Sequence, residues 1–148
     1  MSFAGVRDGL ISTIVAGGKF SSSQVSSCDF GIIELCASAV LIAPGPGTSI
    51  RPLTFQGTGS ARIKEITWDF SGFVFVKDPG DPTAWLSSLW TAADDIFNSV
   101  NRDDSLNGTA ESAYISDISR PDVDTYYKLR GVDYAVLRFR VKATAWSA

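Results

Sequence analysis

The chain has no histidine. Without imidazole there is no Ser-His-Asp or Cys-His nucleophile pair, none of the usual zinc or iron sites, and not the commonest general base. Cysteine is almost as scarce. Cys28 and Cys36 are too few for a disulfide framework or a closed zinc site. They read as buried free thiols, with a bridge between them left open. No apolar run approaches the roughly 20 residues of a membrane span, the longest being Ala39–Ala43. Met1-Ser2-Phe3 has no basic region ahead of an apolar stretch, so no secretory signal is expected and the chain reads as one that folds in a cytoplasm. Positive charge is not in excess either. With 13 Lys+Arg against 16 Asp+Glu, there is no basic footprint for non-specific nucleic-acid binding.

What is present suits one domain spanning residues 1–148, long enough to bury roughly two-thirds of its unfolded surface. The 45% hydrophobic and 20% charged fractions exclude a wholly disordered chain. Four Trp and nine Phe imply a well-filled core or a surface that becomes buried on assembly.

Hydrophobic spacing predicts a helix over residues 2–16, on Phe3, Val6, Leu10 and Ile14, ended by Gly17-Gly18. Ser21–Ser27 reads as a polar loop. Residues 35–43 read as a strand buried on both faces. From Pro44 to Ser60 the chain is rich in Gly, Pro, Thr and Ser, which predicts a long excursion with a short extended piece at Leu53–Gln56. Residues 61–77 read as a long strand or two collinear ones. Ile66, Trp68 and Phe70 share one face and Glu65, Thr67 and Asp69 the other. Past Gly72, where a bulge is expected, Phe73–Val76 is apolar on both faces. Asp81-Pro82 starts a second helix running to about Asn101, with Trp85/Leu86, Leu89, Ala93, Ile96/Phe97 and Val100 as its stripe. Residues 110–119 alternate poorly but predict a strand, and Arg120-Pro121-Asp122 a turn. Residues 132–145 are the clearest strand, with Leu137, Phe139 and Val141 against Arg138, Arg140 and Lys142. Together these predict an α+β fold: a mostly antiparallel sheet, two helices packed on one face, and a long Gly/Pro-rich loop at 44–60.

Chemistry-bearing motifs are weak. Gly57-Thr58-Gly59-Ser60 lacks the Gly-Lys-Ser/Thr ending of a phosphate loop. Asp103, Ser105, Asn107 and Gly108 match positions 1, 3, 5 and 6 of a calcium loop, but Tyr114 stands where the bidentate Glu belongs. Asp94-Asp95 and Asp103-Asp104 are adjacent acids that cannot face each other across a cleft. Lys64 and Lys77 have no neighbour in sequence that would activate a nucleophile. No catalytic, metal or cofactor-binding residues are assigned, and no enzyme is expected. The row Arg138, Arg140, Lys142 reads either as the solvated face of an edge strand or as a surface that meets an acidic partner.

An N-terminal amphipathic helix is followed by an early strand broken by the Pro44–Ser60 excursion and then a long aromatic strand. A second helix then leads through Asp103-Asp104-Ser105-Leu106-Asn107-Gly108 into a closing strand. This succession resembles the tail terminator (tail completion, neck) proteins of tailed bacteriophages. In that family a leucine tucks back against the helix end and a glycine reverses the chain, roles that fall here to Leu106 and Gly108.

The resemblance implies a structural virion protein assembled in the host cytoplasm. It would form a homo-oligomeric ring, hexameric by expectation, with subunit sheets joined around a channel that DNA crosses without specific binding. It would stop tube polymerisation and allow head–tail joining. Its partners would be itself, the tail tube protein and a head-completion or connector protein, with no membrane. Arg138, Arg140, Lys142, Phe73, Phe75, Pro46, Leu53 and Phe55 are the expected interface residues. The alternatives are another neck or tail component, or a small binding module using Trp68, Trp85, Trp90 and Trp146.

Overall fold

The computed structural model describes residues 2–27, 38–45, 47–53, 63–77, 82–119, 126–129 and 132–147. Their order is α1 (Phe3–Ala16), β1 (Val25–Ser27), β2 (Ser38–Pro44), β3 (Ser49–Leu53), β4 (Ile63–Lys77), α2 (Pro82–Arg102), β5 (Ser112–Ile118), β6 (Tyr126–Leu129) and β7 (Val132–Ser147).

Helix α1 begins because Ser2 is extended and its Oγ accepts the Gly5 N–H at 3.1 Å, satisfying one of the first-turn amides. It buries Val6, Leu10 and Ile14. Helix α2 buries Leu89, Ala93, Ile96 and Val100, as its spacing predicts. Phe97 departs from the predicted stripe: it is 43% exposed, because Ile96 already fills that turn's inward position. Asp81, the predicted cap, lies outside the described residues.

Among the described residues seven strands form one sheet in the order β1-β2-β4-β7-β5, with β3 also on β4 and β6 also on β7. Every pairing is antiparallel except β1 on β2. The spine is β4 against β7, in unbroken register from Lys64↔Ser147 to Lys77↔Tyr134. Both helices pack on one face, over Trp68, Phe70, Val74, Leu137, Phe139 and Val141. The fold is therefore α+β with a mostly antiparallel sheet. On the opposite face, which carries no helix among the described residues and is called helix-free below in that sense, a smaller cluster joins Ala39, Leu41, Phe75 and Tyr134, with Phe73 and Val136 packed on it. This second cluster is why Phe73–Val76 reads as apolar on both faces.

Several expectations change. Gly72 makes no bulge: it pairs in register with Phe139, and an added Cβ would run into that ring. The glycine leaves room for its partner. The bulge lies at Ser116, where pairing shifts between Ile115 and Asp117. It turns both Ile115 and Ile118 toward the core, which explains why this segment alternates poorly. Within Ser21–Ser27, Val25–Ser27 is strand, with Val25 buried and Val40 N–H bonded to the Gln24 carbonyl at 2.8 Å. The 44–60 excursion contains β3 (Ser49–Leu53), which takes in Leu53 of the predicted Leu53–Gln56 piece; the rest of that piece falls outside the described residues. Residues 54–62, including Phe55 and the 57–60 glycine segment, lie outside the described residues. So do 28–37 with both cysteines, Pro46, and the predicted turn at 120–122. Strand β7 is no edge strand, for β4 flanks it on one side and β5 and β6 on the other.

Candidate interaction surface

Alternation along β7 sends Arg138, Arg140 and Lys142 to the helix-free face. Register then supplies neighbours that sequence alone did not. Across from Arg138 on β4 is Phe73, whose ring centroid lies 5.2 Å from the guanidinium carbon. Arg140 faces Ser71 on β4 and Asp117 on β5. Lys142 faces Asp69 on β4 and Tyr114 on β5. The row is therefore interleaved with carboxylates. Among the described residues no ion pair joins Arg140 or Lys142 to a carboxylate within 4.0 Å.

Tyr114 and Trp146 stand on this same face, 53% and 54% exposed. Thr67 and Thr144, between them in register, bring their hydroxyls to 3.3 Å. The polar half of the face thus carries two open aromatic rings, one exposed cation (Arg138) and two half-buried ones. Of the other predicted interface residues, Phe75 is 3% exposed, so its ring is inside the subunit. Phe73 is half-buried beneath Arg138. Leu53 is paired with Ile63 at the end of β3.

Asp69, read from sequence only as an outward strand position, is 1% exposed. Gly45, Gly47 and Thr48 lie against it. β2 and β3 run along the same side of β4, and between Pro44↔Phe70 and Ser49↔Thr67 four residues oppose two. Gly45 N–H donates to the Asp69 carbonyl at 2.7 Å and Gly47 N–H to Asp69 Oδ2 at 3.1 Å. A Cβ on Gly45 would fall 2.8 Å from Asp69 Cγ, and one on Gly47 2.7 Å from Oδ2. Only glycine allows so close an approach. Asp69 Oδ1 is buried with no partner among the described residues.

No protein-family model matches the chain, and no curated protein matches it.

The Asp103–Gly108 segment forms a tight turn. Ser105 Oγ donates to Asp103 Oδ1 at 2.6 Å and Asn107 N–H to Oδ2 at 2.9 Å. The Ser105 hydroxyl, then the Asn107 amide, hold the Asp103 carboxyl below its ordinary range. Both oxygens that a calcium loop would direct at a metal are directed at the turn. Leu106 is fully buried in the main core with φ 49°, and Gly108 has φ 78°. Asp94 is exposed, while Asp95 Oδ2 lies 3.8 Å from Lys19 Nζ. Trp68 belongs to the core; Trp90 is 44% exposed and shares the outer side of α2 with Phe97. Sequence reasoning missed Asp69, Tyr114 and the exposure of Phe97. Among the described residues no group of three His, Cys, Asp or Glu could hold a metal, and no helix is long and apolar enough to cross a membrane.

Proposed function

We propose that the chain is a structural virion protein that forms a ring at the head-proximal end of a phage tail tube. The ring ends tube growth and makes the tail competent to join a filled head. The reading rests on the resemblance set out above, and the observation that supports it best is the helix-free sheet face. A long strand ladder presents Tyr114, Trp146, Arg138, Arg140 and Lys142 outward. Exposed aromatics and arginine are the residue types that protein interfaces enrich. A ring closes through heterologous contacts, so its two sides differ, and one of them stops the next tube ring by geometry.

The test is genetic and visual. Removing the gene should give tubes of uncontrolled length, or tails that never join heads, while heads still fill with DNA. The purified chain, or chain recovered on tails, should appear as rings in electron micrographs. Joined tails of normal length after the deletion would overturn the reading; loss of host attachment alone would favour the binding module.

A further inference from the structure

Among the described residues the sheet has no edge suited to long strand pairing with a neighbour. β1 has three residues and β6 four. β3 contains Pro52, which has no amide to donate. β5 is bulged at Ser116 and carries exposed Asp117. Short strands, proline, bulges and charge are the devices that keep sheet edges from pairing. The faces are less guarded. Trp90 and Phe97 lie two turns apart on the outer side of α2, with exposed Asp94 between them in sequence. On the opposite side of the sheet stand Tyr114, Trp146 and the Arg138–Lys142 row. One patch sets a single acid between two aromatic rings; the other sets three cations among Asp117, Glu65 and the buried Asp69, with Arg138 the cation standing furthest out. Because they are on opposite sides of the sheet, they cannot meet within one subunit.

We infer that the Trp90–Asp94–Phe97 side of α2 in one copy docks on the helix-free sheet face of a second copy. This rests on the ring reading and deepens it by naming the contact. Arg138, the most open of the three cations, and its neighbours receive Asp94 and the two aromatic rings. A cation over ring faces, and Asp94 against the exposed Arg138, favour that pairing. The contact is heterologous, the class from which rings are built. Two aromatics a side make a modest core, so association is concentration-dependent and weakens with salt.

The experiment uses the full chain and measures mass by light scattering across concentration. Two variants are compared: Asp94→Lys, and the triple Arg138→Glu/Arg140→Glu/Lys142→Glu. Each alone should shift the midpoint of assembly at least tenfold upward, with circular dichroism and thermal unfolding showing a folded subunit. An equimolar mixture should assemble at the wild-type midpoint, because each variant's altered patch complements the other's. Trp90→Ala/Phe97→Ala, which changes no charge, should also weaken assembly, and it serves if the triple variant fails to fold. Assembly unaffected by Asp94→Lys and by the aromatic pair, or a mixture no better than its components, overturns this docking. Rings that persist in those variants leave the ring reading standing. A wild-type chain that stays monomeric at every concentration overturns the docking, and the ring reading is then judged by tail length in the gene deletion.

Discussion

Asp103 and Asp69 each hold backbone amides of a turn, yet their circumstances are opposite. Asp103 is half-exposed, both its oxygens are bonded, and the amide it holds is four residues away. Asp69 is buried, one oxygen is bonded and the other has no partner among the described residues, and the amide it holds lies 22 residues upstream. A carboxylate that serves its own turn adds a little stability and leaves a mark in local sequence. One that fastens a distant segment governs the path of the chain, and nothing around it in sequence says so.

The comparison can be broken at four places. The largest effect is expected at Leu106, which roots the Asp103 turn in the core. Leu106→Ala should lower stability by about 2–5 kcal/mol in urea denaturation, the range for emptying a core leucine site. A loss under about 1 kcal/mol would mean that the turn sits on the core without being anchored in it. Next is Gly45→Ala. Its Cβ meets Asp69 Cγ and the Asp69 carbonyl oxygen, both at 2.8 Å, and a paired strand cannot retreat. About 1–3 kcal/mol should be lost, measured the same way.

Asp69→Ala should act more locally. Without its acceptor the Gly47 amide should exchange with deuterium about tenfold faster or more, in keeping with a hydrogen bond to a charged group. Amides of the β4–β7 ladder should keep their protection; equal loss in both would make Asp69 a support of the whole sheet. The smallest effect belongs to Asp103→Asn, under about 1 kcal/mol because the carboxylate is half in water. Its sign with pH is fixed. Folding depresses the Asp103 pKa, so the wild-type advantage is present above the ordinary value of 3.8 and fades as pH falls through the lower folded value. A difference that grows on acidification would contradict the hydrogen-bond assignment.

The same division between local and distant causes decides what the sequence reveals. α1, α2, β4 and β7 are long enough for their periods to dominate, so the α+β fold and the face bearing Arg138, Arg140 and Lys142 are legible. Strand β1 is hidden, since Ser26 and Ser27 look like loop and only pairing with β2 makes them strand. Ile115 and Ile118 are three apart, a spacing that fits no flat strand until the Ser116 bulge is known. Phe97 falls one place past Ile96, and a stripe drawn as a near-heptad admits both although only one points inward. Of the candidate surface, the cations are visible in the alternation of β7. Asp69, Asp117, Phe73 and Tyr114 become their neighbours only through register, which no window of sequence contains.

The spine ladder also imposes an order of events on folding. β2 and β3 precede β4 in the chain and can zip onto one side of it early. The strand that covers its other side, β7, is translated only after α2, β5 and β6. Throughout that interval β4 carries an open edge running past Phe73, Val74, Phe75 and Val76. Contacts so far apart in sequence form slowly, and an apolar strand waiting for its partner is where chains stick to one another. Lys64 and Lys77, exposed near the two ends of β4, flank that stretch with charge. Refolding yield should therefore depend on protein concentration more steeply than the stability of the finished sheet suggests, and replacing these two lysines with alanine should steepen it further.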